Sequence, residues 1–172
     1  MQNYFKNLLE RFYQAKSDEE KNTIYDEMVE YADSYHDGYV CYEMDIYVSL
    51  YKCARTSRQR KHALKHIKEI IIDDAFQCCD ELIENFKEFT LITEFLDEDD
   101  VEEFDSLCKK VLNFFGKRKK ESEFGAFAEH YNIAPEISVW DSNSQLREVA
   151  EIVVRANMHN ESYALAQTIL GF

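Results

Sequence analysis

Glycine occurs only four times and proline once, at Pro135, in 172 residues. The tight turns of β-rich folds depend on these two residues, and helix interiors exclude them. A chain so poor in both predicts long helices with short joints. The apolar fraction of 45% and the aromatic fraction of 14% supply a packed core and argue against a disordered chain. Domains commonly run about 100–150 residues, so this length fits one. No linker or low-complexity stretch divides it. The expectation is a single helical domain over 1–172, which would also suit the N-terminal part of a longer helical array.

Apolar spacing predicts about nine helical segments. Phe5, Leu8, Leu9 and Phe12 mark the first, near Tyr4–Ala15. Ser17-x-x-Glu20 is a capping box that opens the second, and His36-Asp37-Gly38 ends it with a glycine able to take the left-handed conformation. The third, about Tyr39–Ala54, is apolar on two faces, which predicts neighbours on both sides. Thr56 and Ser57 form a joint before a fourth helix with Ala63, Leu64, Ile67 and Ile70 inward. A fifth covers about Asp74–Thr90. The acids Asp97–Asp100 suit the positive end of a sixth helix, which Gly116 is expected to stop. A short seventh follows at about Ser122–Tyr131, then a loop through Pro135, then helices at about Ser142–Ala156 and Glu161–Leu170.

Helices near 15 residues joined by two to five give antiparallel neighbours. In the last pair Leu146, Val149, Ala150 and Val153 precede Ser162, Ala166 and Ile169 at fixed offsets. Small Ala150 and Ser162 stand where two helices would cross closely. From Tyr39 to Ile72 the spacing of Tyr47, Leu50, Ala54, Ala63, Ile67 and Ile70 is related, although Tyr51 stands where a small residue is usual. On these residues the chain resembles the tetratricopeptide-repeat family over two of four helix pairs, with degenerate motifs. The resemblance implies an all-α, tetratricopeptide-like α-solenoid of stacked antiparallel helix pairs, with a compact helical bundle as the alternative. It further implies a surface that binds a protein or peptide and performs no catalysis of its own.

Nine of the eleven tyrosines lie between Tyr4 and Tyr51. Tyrosine is large, rigid and amphipathic, hence a favoured contact residue. The third helix therefore nominates Tyr42, Tyr47 and Tyr51 as partner contacts, with Arg58 and Lys65 as anchors for an acidic group. Against that stands the plainer reading that each tyrosine fills the core with its hydroxyl at the edge.

The formal charge of −14 is unevenly spread. Residues 51–70 carry seven bases against one acid, and 71–105 carry fourteen acids against one base. The overall sign disfavours nucleic acid and anionic membranes, so no direct nucleic-acid binding is expected. It also suggests a second function: a small acidic inhibitor, of immunity-protein type, that mimics nucleic acid to block a nuclease or a DNA-binding protein. His62 and His66 share a helical face, with Glu69 nearby, at a spacing that can hold a metal. Lys61, Lys65 and Lys68 crowd that face with positive charge, and no metal is assigned. The run from Asp97 to Asp105 lacks the glycine and spacing of a calcium loop. Phosphate-binding, nucleophile-elbow and dinucleotide motifs are absent, as is the Glu-x-x-His of helical metalloenzymes. No catalytic residue and no cofactor is therefore assigned, and the chain reads as a non-enzyme.

The five cysteines are odd in number, form no C-x-x-C and mostly fall on apolar stripes, as reduced core residues of a cytoplasmic protein do. No apolar run approaches the roughly 18 residues that a membrane span needs, and Met1–Tyr13 lacks the continuous apolar stretch of a signal peptide. The end Ile169-Leu170-Gly171-Phe172 is apolar, which raises homodimerisation through the last helix.

Overall fold

The computed structural model describes residues 3–34, 40–77, 79–130, 139–156 and 158–172, with side chains described in these segments except over 40–42, 72–81, 120–130 and 139–142. Eight α-helices and no strand occur among the described residues. They fall into two compact units, Met1–Phe95 and Leu96–Phe172. The glycine cap expected at His36-Asp37-Gly38 and the loop through Pro135 lie outside the described residues.

The first unit holds α1 (Asn3–Gln14), α2 (Asp18–Ser34), α3 (Val40–Cys53), α4 (Ser57–Gln77) and α5 (Cys79–Thr90), then a 3₁₀ turn at Thr93–Phe95. Each helix packs on the next, and α5 also packs on α3. The α3 helix is the centre of the unit, held by α2, α4 and α5. Its two apolar faces require this: Met44, Ile46, Val48, Leu50, Tyr51 and Cys53 are all buried. Phe5, Leu8 and Phe12 of α1 meet a face of α2 that buries Ile24, Tyr25, Met28 and Ala32.

Short polar contacts set where these helices begin. The Glu20 N–H donates to Ser17 Oγ at 3.1 Å, and the Glu20 carboxylate reaches back to the Lys16 N–H at 3.1 Å, one residue earlier than the usual capping box. A second box opens α4. The Gln59 N–H donates to Thr56 Oγ1 at 3.2 Å, and Gln59 Oε1 accepts from the N–H groups of both Thr56 and Arg55.

The second unit holds a 3₁₀ turn at Glu98–Asp100, then α6 (Val101–His130), α7 (Val139–Ala156) and α8 (Glu161–Leu170). All three helices pack on one another. Asp97 caps the turn, accepting from the Asp99 N–H, as its acidic lead predicts. Phe104, Cys108, Val111, Leu112 and Phe115 of α6 are buried, as are Val149, Ala150 and Val153 of α7 and Ser162 and Ala166 of α8. The eight helices among the described residues are close to the nine expected, and α6 runs unbroken through Gly116 and the basic stretch Lys117–Lys120, so the expected sixth and seventh segments form one helix. One glycine costs a helix only about 1 kcal/mol, and buried apolar residues on the preceding turns outweigh that. Gly171 closes α8 instead. Its φ of 87° is left-handed, and its N–H and that of Phe172 satisfy the carbonyls of the last turn.

Candidate functional site

Helices α2 and α4 both pack on α3, and between them they share polar contacts. Near their starts, Arg55 bonds Asp18, Nη2 to Oδ1 at 2.6 Å. Further along, the Tyr25 hydroxyl donates to the Gln59 carbonyl at 3.5 Å. At the end of α2, Asp33 meets His62 and His66. The contacts advance together along both helices, so α2 and α4 run side by side in the same direction, with α3 antiparallel to each.

The cleft between them contains a pocket of about 490 Å³. Tyr25, Asp26 and Val29 of α2 line it, as do Arg58, Gln59 and His62 of α4 and the preceding Thr56. Gln59 has its amide oxygen committed to the start of α4. Arg58 is exposed and aligned with the pocket rim. The pocket thus offers an apolar wall at Val29 and Tyr25 and a guanidinium that can take an acidic group.

Beside it lies a polar cluster. His62 Nε2 and His66 Nε2 stand 3.6 and 4.0 Å from Asp33 Oδ1. The Tyr47 hydroxyl donates to that same oxygen at 3.3 Å. The Tyr47 ring stacks on His66 with centroids 4.5 Å apart and planes within 9°. On its other side His66 turns Nδ1 toward Glu69 Oε2 at 3.4 Å, and Glu69 also pairs with Lys65 at 3.7 Å. Burial, helped by the neighbouring His62, pushes the His66 pKa below its ordinary value against the pull of Glu69 and Asp33. The ring is therefore a neutral imidazole at neutral pH. Burial and the Asp33 carboxylate push the Tyr47 phenol well above its usual range, so it stays protonated and a donor.

The residues nominated from the sequence differ in exposure. Arg58 and Lys65 lie exposed on α4. Tyr47 is buried at 6% exposure and serves the cluster. The expectation that α3 shows its tyrosines to a partner is revised at Tyr51, which is 1% exposed and belongs to the core, because α3 is covered by α2, α4 and α5. Tyr42 lies on α3, and its side chain is outside the described residues. Asp33 was not nominated, although a signal existed. Asp26, Val29 and Asp33 form one stripe of α2, and Gln59, His62, His66 and Glu69 one stripe of α4. Each stripe is legible alone, but their facing is not.

Cys53 and Cys108 are buried free thiols. Burial pushes the Cys53 pKa up to about 11 and that of Cys108 further, so neither is a thiolate at neutral pH. Among the described residues no helix is long and apolar enough to cross a membrane. The chain matches no protein-family model, no curated protein and no solved structure.

Proposed function

We propose that this chain is a protein- or peptide-binding module of the helical-repeat kind, and that the α2–α4 cleft is its contact surface. One observation carries the reading: alternate helices lie side by side in the same direction and leave a lined pocket between them. Successive antiparallel helix pairs, stacked, generate such clefts. The occupant that fits is a segment bearing a carboxylate, with Arg58 as its anchor and Val29 and Tyr25 receiving apolar atoms. Lys65, one turn beyond His62 on the exposed face, is paired with Glu69 at 3.7 Å, so Arg58 is the principal anchor.

The acidic-mimic reading draws less support. A mimic needs its carboxylates on the surface, and within the densest acidic run Asp100 and Asp105 are buried.

The test is an affinity capture with the full chain, repeated with nuclease and at two salt concentrations, and with Arg58→Glu beside it. The expected result is a protein retained after nuclease and lost with Arg58→Glu while helix content is unchanged, a loss of roughly tenfold or more for an anchoring charge. Capture only of nucleases or DNA-binding proteins, unaffected at Arg58 and collapsing with salt, would replace this reading with the acidic mimic.

A further inference from the structure

We propose that Asp33, His62 and His66 form a binding site for a divalent transition-metal ion, with zinc the best-matched occupant. The donor atoms of the three residues all lie within 4.8 Å of one another. In a tetrahedral site with bonds of about 2.0–2.1 Å, neighbouring ligand atoms stand roughly 3.3 Å apart. Asp33 Oδ1 is already 3.6 Å from His62 Nε2 and 4.0 Å from His66 Nε2. Closing the set to that spacing asks for shifts of about 1 Å, on the scale of side-chain rotations.

The residues behind the ligands are arranged as metal sites arrange them. A ligating histidine usually gives its second nitrogen to a carboxylate, which fixes the ring and raises its basicity. Glu69 stands in that position against His66 Nδ1, and the Tyr47 hydroxyl holds Asp33. Tyr47 also stacks on the His66 ring and limits its rotation. The support behind His62 is incomplete. Its Nδ1 is buried and has no hydrogen-bond partner among the described residues, although a buried ring nitrogen is normally satisfied. A metal on Nε2 leaves Nδ1 without a partner, so the assignment rests on the spacing of the three ligands and on the residues behind Asp33 and His66.

Positive charge on α4 counted against a cation in the sequence alone. The fold changes the balance. Asp33 arrives from α2 and adds a carboxylate that α4 does not carry, and Lys65 is engaged by Glu69. Lys61 is on the exposed side of the helix. Two imidazoles and one carboxylate leave at least one coordination position open, the pattern of sites that take an exogenous ligand. His62 belongs to both the metal triad and the 490 Å³ pocket, so an ion here adjoins the proposed contact surface. The metal site stands on its own geometry and does not require that surface to bind a peptide.

The test is titration of the full, reduced chain with Zn²⁺ by calorimetry and with Co²⁺ by absorption spectroscopy. The expected result is one equivalent bound, a Co²⁺ spectrum without the intense thiolate charge-transfer band, and a higher melting temperature with metal. Asp33→Asn and His66→Ala should each weaken binding by more than about tenfold. Asp33→Asn guards against a folding artefact, since Asp33 is nearly half exposed at the end of its helix. Unchanged affinity in a folded Asp33→Asn chain, a thiolate band, or no binding by the wild type would each overturn the assignment.

Discussion

Asp105 is buried on α6, where an unpaired carboxylate would be costly. It is paired twice. Oδ1 accepts from the Ser162 N–H at 2.8 Å, which satisfies an open donor in the first turn of α8, and Oδ2 meets Lys109 Nζ at 3.1 Å. Burial raises its pKa, but the Ser162 bonds and the Lys109 ammonium outweigh that and hold it below the ordinary carboxylate value. The sign of the linkage follows. A depressed folded pKa stabilises the fold above the unfolded value of about 3.9 and ceases to do so as pH falls through the folded value. Urea unfolding followed from pH 7 downward should therefore lose stability below about pH 4. Asp105→Ala should cost about 2 kcal/mol at neutral pH and flatten that acid limb. Tyr47 invites a similar dissection. Tyr47→Phe keeps the stacking on His66 and removes the bond to Asp33, so its urea midpoint should fall by an amount equal to about 1 kcal/mol. Tyr47→Ala also opens a cavity and should cost roughly 3–5 kcal/mol. Equal losses in the two variants would show that the hydroxyl, not the ring, carries the contribution of Tyr47.

At the level of the element, what could be read from the sequence was local. Ser17 and Glu20 are three apart, and any chain that continues helically brings them together. Thr56 and Gln59 obey the same spacing, yet glutamine served the cap there, and a search for Ser/Thr-x-x-Glu alone passes over it. Gln59→Ala should cost about 1 kcal/mol by freeing the N–H groups at the start of α4, measurable as a lower melting temperature. Gly116 misled in the opposite direction. Glycine both stops helices and survives inside them, and which occurs depends on the flanking core. Phe115, buried, and Lys117–Lys120 beyond it keep to the helix, so α6 continues. A Cβ added at Gly116 would meet nothing within 4 Å. Gly116→Ala should therefore raise stability by about 1 kcal/mol through helix propensity and a less flexible unfolded chain. A decrease in melting temperature would mean that α6 bends or opens at that residue.

For the whole molecule, legibility ends at register. The two-faced pattern of α3 correctly required cover on both sides. Nothing in it stated that Asp33 of α2 would face His62 of α4, because that depends on how far each helix slides along α3. The boundary between the two units was likewise not marked by glycine, proline or a polar linker. From its sequence Leu91–Leu96 either continues α5 or begins a turn, and only the packing separates Ile92, buried in the first unit, from Phe104, buried in the second. The division has a consequence that can be measured. In the first unit Phe5, Met28, Leu50, Ile67 and Phe86 are all buried across five helices. In the second, each of α6, α7 and α8 packs on both of the others, and the buried Asp105 ties α6 to the start of α8. Such units carry their own cores, so fragments 1–95 and 96–172 should each show helical circular dichroism and a cooperative melt. The smaller fragment should be the weaker, since a single core below about 80 residues seldom yields more than about 3–5 kcal/mol. Asp105→Ala should then unfold it outright while leaving fragment 1–95 untouched. A fragment 96–172 that is unstructured with Asp105 intact would show that its three helices need the first unit to fold.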